Sequence, residues 1–289
     1  MKNIKNSCLV LEGGGKRGIY TAGVLDVLME NHIMIDCVIG TSAGCIHGCS
    51  YASQQIGRSI RYNMKYGKDP RFMSFKNWIK TGNIVDTEFS YHTLPEKLDP
   101  VDNETFKKLG INLYAVCTNL ETGKAEYIKC NDMFKDIDYI RASASLPFLS
   151  KIVKINGKKL LDGSIADSIP LKKAEELGYK KNIVVLTRVK GYKKKPSLLI
   201  KLLTPIVYRK FPNFVKAMLN RHNMYNEQIQ YIEKSEVDKD TIVIRPSRYI
   251  KVGRIENNLS VIKKLYDLGR YDAIQMLPKI KKFLNNTYN

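Results

Sequence analysis

The stretch CLVLEGGGKRG, residues 8–18, decides the fold of this chain, because it joins three structural elements in a short span. CLVL is an apolar run typical of a buried strand, and the glycines after it match the spacing G-x-G-x-x-G over residues 13–18. A helix begins at about Gly18, with apolar residues at helical spacing as far as Asn31. The stretch therefore predicts a strand, a tight turn and a helix, and the turn can bind a phosphate or another anionic group.

A second unit of the same kind lies within the first 57 residues. The run Cys37 to Ile39 reads as a strand, and it ends in GTSAG, residues 40–44, before another helical pattern. Helical and strand-like patterns alternate for about 190 residues, which is typical of an α/β layer fold with a mostly parallel sheet. Residues 58–110 are less regular and rich in aromatic and basic side chains, and we interpret them as a cap or an insertion.

The net charge of +20 requires an anionic partner or another explanation. Residues 177–226 hold twelve Lys or Arg and no acidic residue, with leucine, isoleucine, phenylalanine and tyrosine between the charges. This pattern predicts contact with anionic lipid at the inner face of a membrane. The alternative is a solvated helical face in a lysine-rich protein. The motifs of nucleic-acid-binding proteins are absent from the sequence, so we do not expect nucleic acid as a partner.

The N-terminal segment has only four consecutive apolar residues before charge and glycine, too few for a secretory signal. No stretch reaches the roughly 20 apolar residues that a membrane span requires. We therefore expect a cytoplasmic protein. Its six cysteines stand mostly in apolar patterns, as buried reduced thiols do. Cys45 and Cys49, with His47 between them, lack a second ligand pair, so we expect packing there and neither a metal ion nor a cofactor.

GTSAG, residues 40–44, fits the G-x-S-x-G motif of a nucleophile elbow. A serine at a sharp turn between strand and helix projects from the backbone, and the flanking Gly40 and Gly44 carry no side chains that would block it. Ser42 is therefore a candidate nucleophile. The structural alternative is a serine that caps the N-terminus of the next helix.

A serine that cleaves esters also needs donors for the negative oxygen that forms on the attacked carbonyl group. Gly13, Gly14 and Gly15 can supply unshielded backbone N–H groups at a helix N-terminus, where the helix dipole also favours an anion. The rival interpretation is a dinucleotide site, which needs an acidic residue at the end of the second strand. Asp26 and Asp36 meet that requirement only loosely, and the Gly-Lys-Ser/Thr ending of a P-loop is missing.

The candidate serine also needs a base. Of the four histidines, only His222 is late enough for the chain order Ser, Asp, His of a triad hydrolase. Asp162, in LLDGS at a strand end, is the alternative, since function collects at strand ends in α/β folds. An aspartate of ordinary acidity is a weak base, so Asp162 would have to contact Ser42 directly in a partly desolvated pocket. Asp162 also fits a turn-forming Asp-Gly pair, and Asp167 is the second candidate base.

Together these motifs resemble those of the patatin-like phospholipases, most closely the bacterial members with a basic C-terminal region. The run from Glu12 to Gly18 is similar to the family's oxyanion loop, residues 40–44 match its nucleophile motif, and residues 162–164 resemble its Asp-Gly-Gly/Ala motif. ASASLP, residues 142–147, is similar to the short helix and proline that precede the aspartate in the family. The resemblance covers at least residues 7–190.

The resemblance implies a three-layer α/β/α sandwich that cleaves lipid acyl esters, as a phospholipase A or lysophospholipase does. It implies that Ser42 attacks the ester carbonyl group, that Asp162 accepts the proton and later activates water, and that the glycine-loop amides stabilise the oxyanion. The residues that support these motifs are Arg17, Gly18, Gly40, Gly44 and Gly163. One departure is Ser164, where the family usually has glycine or alanine. We expect its hydroxymethyl group either to crowd the pocket or to form a hydrogen bond with Asp162.

The sequence predicts two parts, a catalytic core over residues 1–190 and a mainly helical, basic C-terminal region over residues 191–289 that packs on the core. Two other functions stay open beside the Ser-Asp hydrolase and the dinucleotide site. One is a protein that binds lipid or membrane with weak or no catalysis. The other is an esterase with a Ser-His-Asp triad.

Overall fold

Eight strands form one mixed sheet in the part of the chain that the computed structural model describes, residues 4–238, 240–253 and 255–285. The strands are β1 (Ile4–Leu11), β2 (Ile35–Thr41), β3 (Asn112–Asn119), β4 (Ala125–Cys130), β5 (Val153–Ile155), β6 (Lys158–Asp162), β7 (Lys181–Val185) and β8 (Thr241–Ile244). The helices are α1 (Ile19–Glu30), α2 (Ala43–Ala52), α3 (Arg58–Tyr66), α4 (Phe75–Thr81), α5 (Asn103–Leu109), α6 (Ile137–Ser143), α7 (Leu171–Glu176), α8 (Leu198–Val207), α9 (Pro212–Val237) and α10 (Leu259–Asn285). Shorter or wider helical turns cover Gly15–Gly18, Phe89–Leu98 and Gly163–Ile165. No helix within these described ranges has both the length and the hydropathy of a membrane span.

The centre of the sheet is parallel. The strand order is β5-β6-β3-β2-β1-β7-β8, with β4 also paired to β3. The strands β3, β2, β1, β7 and β8 run parallel, whereas β4, β5 and β6 are antiparallel to their neighbours. Parallel neighbours need crossover connections, and helices supply them here. The predicted α/β fold with a mostly parallel sheet is confirmed.

Helices cover both faces of this sheet. Along β1, Leu9 and Leu11 pack with residues of α1, α2 and α10. The alternate residues Cys8 and Val10 pack with residues of α7 and α9. Side chains of a strand point alternately to its two faces, and burial of one large aliphatic side chain contributes about 1.5–3 kcal/mol. The sheet is therefore the middle of three layers, as the resemblance implied.

The C-terminal part of the chain packs into the same structure. β8 adds an edge strand beside β7, and α10 crosses α1 at a pair of glycines. A Cβ atom on Gly23 would lie 2.2 Å from the Tyr266 carbonyl oxygen, and one on Gly269 would lie 2.1 Å from that of Tyr20. The two helices can approach this closely only because both positions are glycine. The predicted boundary at residue 190 stays a prediction.

Residues 58–110, interpreted above as a cap or an insertion, form α3, α4, α5 and the helical turn Phe89–Leu98. Tyr62 and Leu94 form the centre of a small apolar cluster within this region. The same two side chains line a cavity beside Ser42. The region therefore covers the end of the sheet at which β2 stops.

Candidate active site

Ser42 joins β2 to α2 in a strained backbone conformation. Its φ of 56° and ψ of −123° turn the chain sharply, as the nucleophile-elbow motif predicts. A Cβ atom on Gly40 would lie 2.5 Å from the backbone of α2, and one on Gly44 would lie 2.5 Å from the Leu11 carbonyl oxygen, so both flanking glycines are required. The Ser42 amide donates to Ser143 Oγ at 2.9 Å. Within the described chain the Ser42 side chain caps no amide of α2, so the capping alternative is wrong.

The sheet topology brings the candidate nucleophile and the candidate base to one place. β4 occupies one edge of β3 over residues 113–118, so β2 and β6 share the other edge. β2 ends with Thr41 opposite Val116, and β6, which runs in the other direction, ends with Asp162 opposite Cys117. The two strands therefore meet end to end, and the turns that follow them leave the sheet at the same point.

Asp162 is completely buried at this point. Its Oδ1 accepts a hydrogen bond from the Ser164 amide at 2.8 Å, and Thr118 Oγ1 donates to its carbonyl oxygen at 2.8 Å. No described residue donates to its Oδ2, although buried carboxylate oxygens usually have a donor. Asp162 and Ser42 line the same cavity. The Asp-Gly turn therefore accounts for one carboxylate oxygen and leaves the other available to a bound group.

The glycine loop closes another side of this cavity. Gly13, Gly14 and Gly15 all line it, together with Ser42. A Cβ atom on Gly13 would lie 3.1 Å from the Ser42 Cβ atom, and Gly15 has a φ of 56°, a conformation that favours glycine. Among the described residues, the amides of the three glycines donate to no protein acceptor. These amides are therefore available to a negative oxygen beside Ser42.

Glu12 holds the glycine loop in position. Its side chain is buried, and its carboxylate accepts hydrogen bonds from the Thr187 amide at 2.5 Å and from the Tyr225 hydroxyl at 3.0 Å. A buried carboxylate needs such donors, because burial without them is costly. The first residue of the glycine motif thus ties the loop to the end of β7 and to α9.

Two cavities of different chemistry meet at Ser42. The larger has a volume of about 160 Å³ and is lined mainly by apolar side chains of α2, α3, α6 and the region between α4 and α5. The smaller has a volume of about 20 Å³ and contains the glycine loop and Asp162. Three cationic side chains also line the smaller cavity: Arg17, Lys194 and Arg221. An ester bound at Ser42 can therefore place an apolar group on one side and a charged group on the other.

Ser164, which departs from the family motif, is bound by a residue of the C-terminal part. Arg221 on α9 donates through Nε to the Ser164 carbonyl oxygen and through Nη2 to Ser164 Oγ, both at 2.7 Å. The expectation for Ser164 is therefore corrected: its hydroxyl bonds Arg221, and its amide bonds Asp162. The sequence analysis did not single out Arg221, because in the acid-free segment it resembles every other surface cation.

The two other candidate bases lie elsewhere. His222 is on α9, where its Nδ1 lies 3.1 Å from the Leu219 carbonyl oxygen. Asp167 accepts hydrogen bonds from the Tyr127 hydroxyl and from Gln228 Nε2, both at 2.6 Å, and its burial raises its pKa. Neither residue lines the two cavities at Ser42. Of the three candidate bases, Asp162 is the one that lines a cavity together with Ser42.

His47 lines the larger cavity but is a packed, neutral side chain. Its Nδ1 lies 3.0 Å from Ser59 Oγ. Burial, followed by the charges of Lys16 and Arg58, lowers the pKa of His47 to about 3. The neighbouring cysteines of α2 are buried free thiols.

The acidic residues considered for a dinucleotide site also lie away from the glycine loop. Asp36 is at the start of β2, the opposite end of the strand from Ser42. Asp26 is on α1 and accepts a hydrogen bond from the Tyr266 hydroxyl at 2.6 Å. Neither of them lines the cavities at Ser42.

Lys16 is a cavity residue that the sequence analysis did not identify. It lines the larger cavity, where its Nζ donates to Asn63 Oδ1 at 2.8 Å and lies 4.3 Å from the centre of the Phe72 ring. Burial lowers the pKa of Lys16 to about 8. The sequence feature that could have identified Lys16 is its position inside the glycine motif, which lies beside the cavities at Ser42.

The family model for patatin-like phospholipases matches residues 9–174, more than half of the chain. The chain therefore belongs to the patatin-like phospholipase family, as its motifs indicated, and this membership supports a lipid hydrolase in general. A second family model, described as a domain of unknown function (DUF6363), matches residues 211–285.

Three comparisons with individual proteins give the extent of the similarity. The chain is 26% identical over 282 residues to the uncharacterized protein YjjU of Escherichia coli (strain K12), covering 96% of this chain and 78% of that protein. It is 28% identical to lysophospholipase NTE1 of Kluyveromyces lactis over 79% of this chain, which spans only 15% of that protein. The crystal structure of VipD from Legionella pneumophila aligns with a TM-score of 0.45 and 14% identity over 94% of this chain and 67% of that chain.

Proposed function

We propose that the protein hydrolyses acyl esters of lipids, with the activity of a phospholipase A or a lysophospholipase. The observation that carries the proposal is the convergence of Ser42, Asp162 and the glycine loop on one cavity, with an apolar cavity beside it. The family and the lysophospholipase relatives support the same class of reaction.

In the proposed reaction, Ser42 Oγ attacks the ester carbonyl carbon while Asp162 accepts the hydroxyl proton. The amides of Gly13, Gly14 and Gly15 donate to the negative oxygen of the tetrahedral intermediate. The bond to the leaving alcohol then breaks, the alcohol takes the proton from Asp162, and an acyl ester remains on Ser42. Asp162 next takes a proton from water, the hydroxide attacks the acyl ester, and the fatty acid leaves as Ser42 recovers its proton.

The assignment of Asp162 as the base is supported by its carboxylate geometry. The Ser164 amide fixes Oδ1 at 2.8 Å, whereas Oδ2 has no donor among the described residues. An oxygen in this state accepts a proton without first losing a hydrogen bond. A positioned base of this kind typically contributes about 10²–10⁴-fold to the rate.

Labelling with a fluorophosphonate probe tests the nucleophile. The wild-type protein and a Ser260→Ala control, which changes an exposed serine at the start of α10, are expected to be labelled. Ser42→Ala is expected to lose the label. Wild-type labelling that persists in Ser42→Ala would exclude Ser42 as the nucleophile.

The lipid-binding alternative predicts a different pattern. If no variant, including the wild type, is labelled or cleaves lysophospholipid while vesicle binding is retained, the protein binds lipid without hydrolysis. A triad esterase would lose activity in His222→Ala, whereas the Ser-Asp proposal predicts a change of less than about twofold, since His222 lines neither cavity.

We propose that the protein also contacts an anionic membrane surface, through the part of the basic segment 177–226 that surrounds α8. β7 lies within this segment and is in the sheet, so the whole segment does not form one surface. α8 exposes Leu198, Leu199, Leu202 and Ile206 by 71%, 65%, 59% and 69%. Apolar side chains exposed between lysines and arginines are suited to the interface of an anionic bilayer.

A second exposed apolar patch supports the same orientation. On α4, Phe75 and Ile79 are 58% and 79% exposed. Trp78 of the same helix donates to the Phe148 carbonyl oxygen at 3.0 Å, and the Phe148 amide donates to the hydroxyl of Tyr208 at the end of α8, at 2.9 Å. The loop that follows α6, which contains Phe148, also contains Leu146, and Leu146 lines both cavities. A bilayer that contacts both helices would therefore lie beside the loop that helps to line the two cavities.

Co-sedimentation with vesicles tests the membrane contact. The triple change Leu199→Ser, Leu202→Ser and Ile206→Ser is expected to lower binding to vesicles with anionic lipid by about tenfold or more. Val237→Ser, at an equally exposed apolar residue of α9, is the matched control and is expected to bind as the wild type does. Equal binding of the wild type to neutral and to anionic vesicles would exclude the charge-dependent contact.

A further inference from the structure

The larger cavity at Ser42 has a mainly apolar lining that one buried ammonium group interrupts. Lys16 is only 7% exposed. Its Nζ donates to Asn63 Oδ1 at 2.8 Å and lies 4.3 Å from the centre of the Phe72 ring. An ammonium group has three N–H donors, and Asn63 is its one hydrogen-bond acceptor in the described chain. The chemistry proposed for Ser42 and Asp162 gives Lys16 no role.

The second cation of this cavity, Arg58, differs from Lys16 because the protein offsets its charge. Arg58 Nε lies 3.5 Å from Asp99 Oδ1, and its Nη2 donates to the Asp99 carbonyl oxygen at 2.7 Å. Lys16 forms no ion pair with any carboxylate among the described residues. Burial lowers the pKa of Lys16 to about 8, so at pH 7 the group is still mainly protonated. Lys16 is therefore a buried charge that the protein does not offset.

The bound acyl chain decides what this charge costs. A plain acyl chain in the larger cavity would cover the ammonium group of Lys16 with methylene groups, and burial of a charge without a partner is costly. A chain that carries a carboxylate would give the ammonium group a charged acceptor. Charge-assisted hydrogen bonds are about twice as strong as neutral ones, and an apolar surrounding strengthens them further. The cavity is therefore better suited to the second kind of chain.

A second polar group of the same cavity also lacks a partner. Ser90 lies in the helical turn Phe89–Leu98, and its Oγ is buried with no hydrogen-bond partner among the described residues. Buried hydroxyl groups usually have one. Lys16 and Ser90 both line the larger cavity, and neither lines the smaller one. A ligand in the larger cavity therefore has an ammonium and a hydroxyl donor on its walls.

We infer that the larger cavity accepts acyl chains that carry a second carboxylate, and that Lys16 selects these chains over plain acyl chains of the same length. Ser90 is the second donor to that carboxylate. The substrate class is a lipid monoester of a dicarboxylic acid. The inference rests on the proposed function and specifies the acyl side of its substrate.

Two 4-nitrophenyl esters of equal chain length test the inference, the ester of octanoic acid and the monoester of octanedioic acid. The wild type is expected to have the higher kcat/KM on the carboxylated ester. Lys16→Met keeps the length of the side chain and removes its charge. This variant should lower kcat/KM for the carboxylated ester by about tenfold or more, and should raise it for the plain ester, which then covers no ammonium group.

Lys68→Met, at an exposed lysine, is the control for the loss of one positive charge. It is expected to keep the wild-type ratio of kcat/KM on the two esters. The same ratio in Lys16→Met as in the wild type would overturn the inference, and so would a wild type that prefers the plain ester.

Ser90→Ala tests the second donor with a smaller change. Loss of one hydrogen bond from an uncharged hydroxyl group should lower the ratio by about two- to tenfold. Ser260→Ala, at the exposed serine of α10, should leave the ratio unchanged. If Ser90→Ala behaves as Ser260→Ala does, Ser90 does not contact the carboxylate.

A binding measurement separates this inference from the proposed hydrolysis. Calorimetric titration of Ser42→Ala is expected to give tighter binding of monomethyl octanedioate than of methyl octanoate. Adding Lys16→Met should remove the difference, with a loss of about tenfold or more for the carboxylated ligand. If neither ester is cleaved by the wild type but this pattern holds, the hydrolase proposal fails and the carboxylate site stands. If the esters are cleaved and the two ligands bind equally, the carboxylate site fails and the hydrolase stands.

Discussion

The two cavities that meet at Ser42 are built from different parts of the chain. The larger one takes its apolar lining from α2, α6 and the region 58–110, all within the match to the patatin-like family. The smaller one combines the glycine loop and Asp162 of that match with Lys194, Arg221 and the Tyr225 ring from beyond it. The proposed reacting groups thus come from strand ends of the family core, whereas the polar side of the cavity depends on the C-terminal part.

The family core alone therefore lacks the contacts from α9 that hold two motifs of the site. Glu12, the first residue of the glycine motif, is held by α9 through the Tyr225 hydroxyl, and Ser164 of the aspartate motif is held by α9 through Arg221. The two motifs that face each other across the cavity are therefore tied to one helix. A change on α9 therefore affects both the glycine loop and the turn that holds Asp162.

The largest expected effect tests whether Asp162, which lines the smaller cavity, is the base for Ser42, which lines both. Asp162→Asn keeps the shape of the side chain but cannot accept the serine proton, so kcat should fall by about 10³-fold or more. Hydrolysis of a soluble ester, measured with thermal unfolding of the same variant, checks this. Asp167→Asn is the matched control: it is expected to lower stability by about 1–3 kcal/mol and to keep most of kcat. The reverse pattern would make Asp167 the base.

Much of the geometry of this site is set by residues close together in the chain, so the sequence predicts it. The glycine loop, GTSAG and the Asp-Gly turn each fix their own backbone geometry, so Ser42, Asp162 and Gly13 to Gly15 could be named beforehand. The alternation of strands and helices likewise predicted the mostly parallel sheet. These features depend on residues close together in the chain.

The features of the site that the sequence did not predict depend on contacts between residues far apart in the chain. The end-to-end meeting of β2 and β6 requires that both pair with the same edge of β3. The bond from Arg221 to Ser164 requires that α9 return to the family core. No local pattern distinguishes Arg221 from the other cations of its segment. The assignment of Ser42 and Asp162 as reacting groups stays a prediction that the experiments above can refute.

The next effect concerns the one lysine in the larger cavity, which interrupts the apolar lining. The pKa of Lys16 is lowered from 10.5 to about 8, so between these values the unfolded chain holds more protons on this group than the folded one. The free energy of unfolding should therefore rise with pH across that window, by at most about 3 kcal/mol. Urea unfolding at pH 7.5 and at pH 10 checks this in wild type, Lys16→Met and the exposed control Lys68→Met. The rise should be smaller in Lys16→Met alone, and an equal rise in all three would contradict the buried position.

A smaller effect should appear when the larger cavity is shortened. Cys49 lines that cavity on α2, about 10 Å along the helix from Ser42. Cys49→Phe fills this depth, so kcat/KM for palmitoyl esters should fall by about tenfold relative to butyryl esters. Cys49→Ala, which removes volume at the same position, is expected to retain the preference for the long chain. If both variants treat the two esters alike, the acyl chain does not lie in this cavity.

The smallest effect tests the hydrogen bond that links α9 to the glycine loop through Glu12. Tyr225→Phe removes the hydroxyl donor to the buried Glu12 carboxylate and keeps the ring beneath Lys194. The expected cost is about 1 kcal/mol of unfolding free energy, since the carboxylate retains the Thr187 amide as a donor. Tyr231 lies on the same helix as Tyr225, and its hydroxyl donates to the less buried Glu175 of α7. Tyr231→Phe should therefore cost less, and denaturant unfolding measures both variants. A looser glycine loop also predicts a lower kcat in Tyr225→Phe with an unchanged KM. A raised KM with an unchanged kcat would mean that the hydroxyl acts on substrate binding and not on the loop.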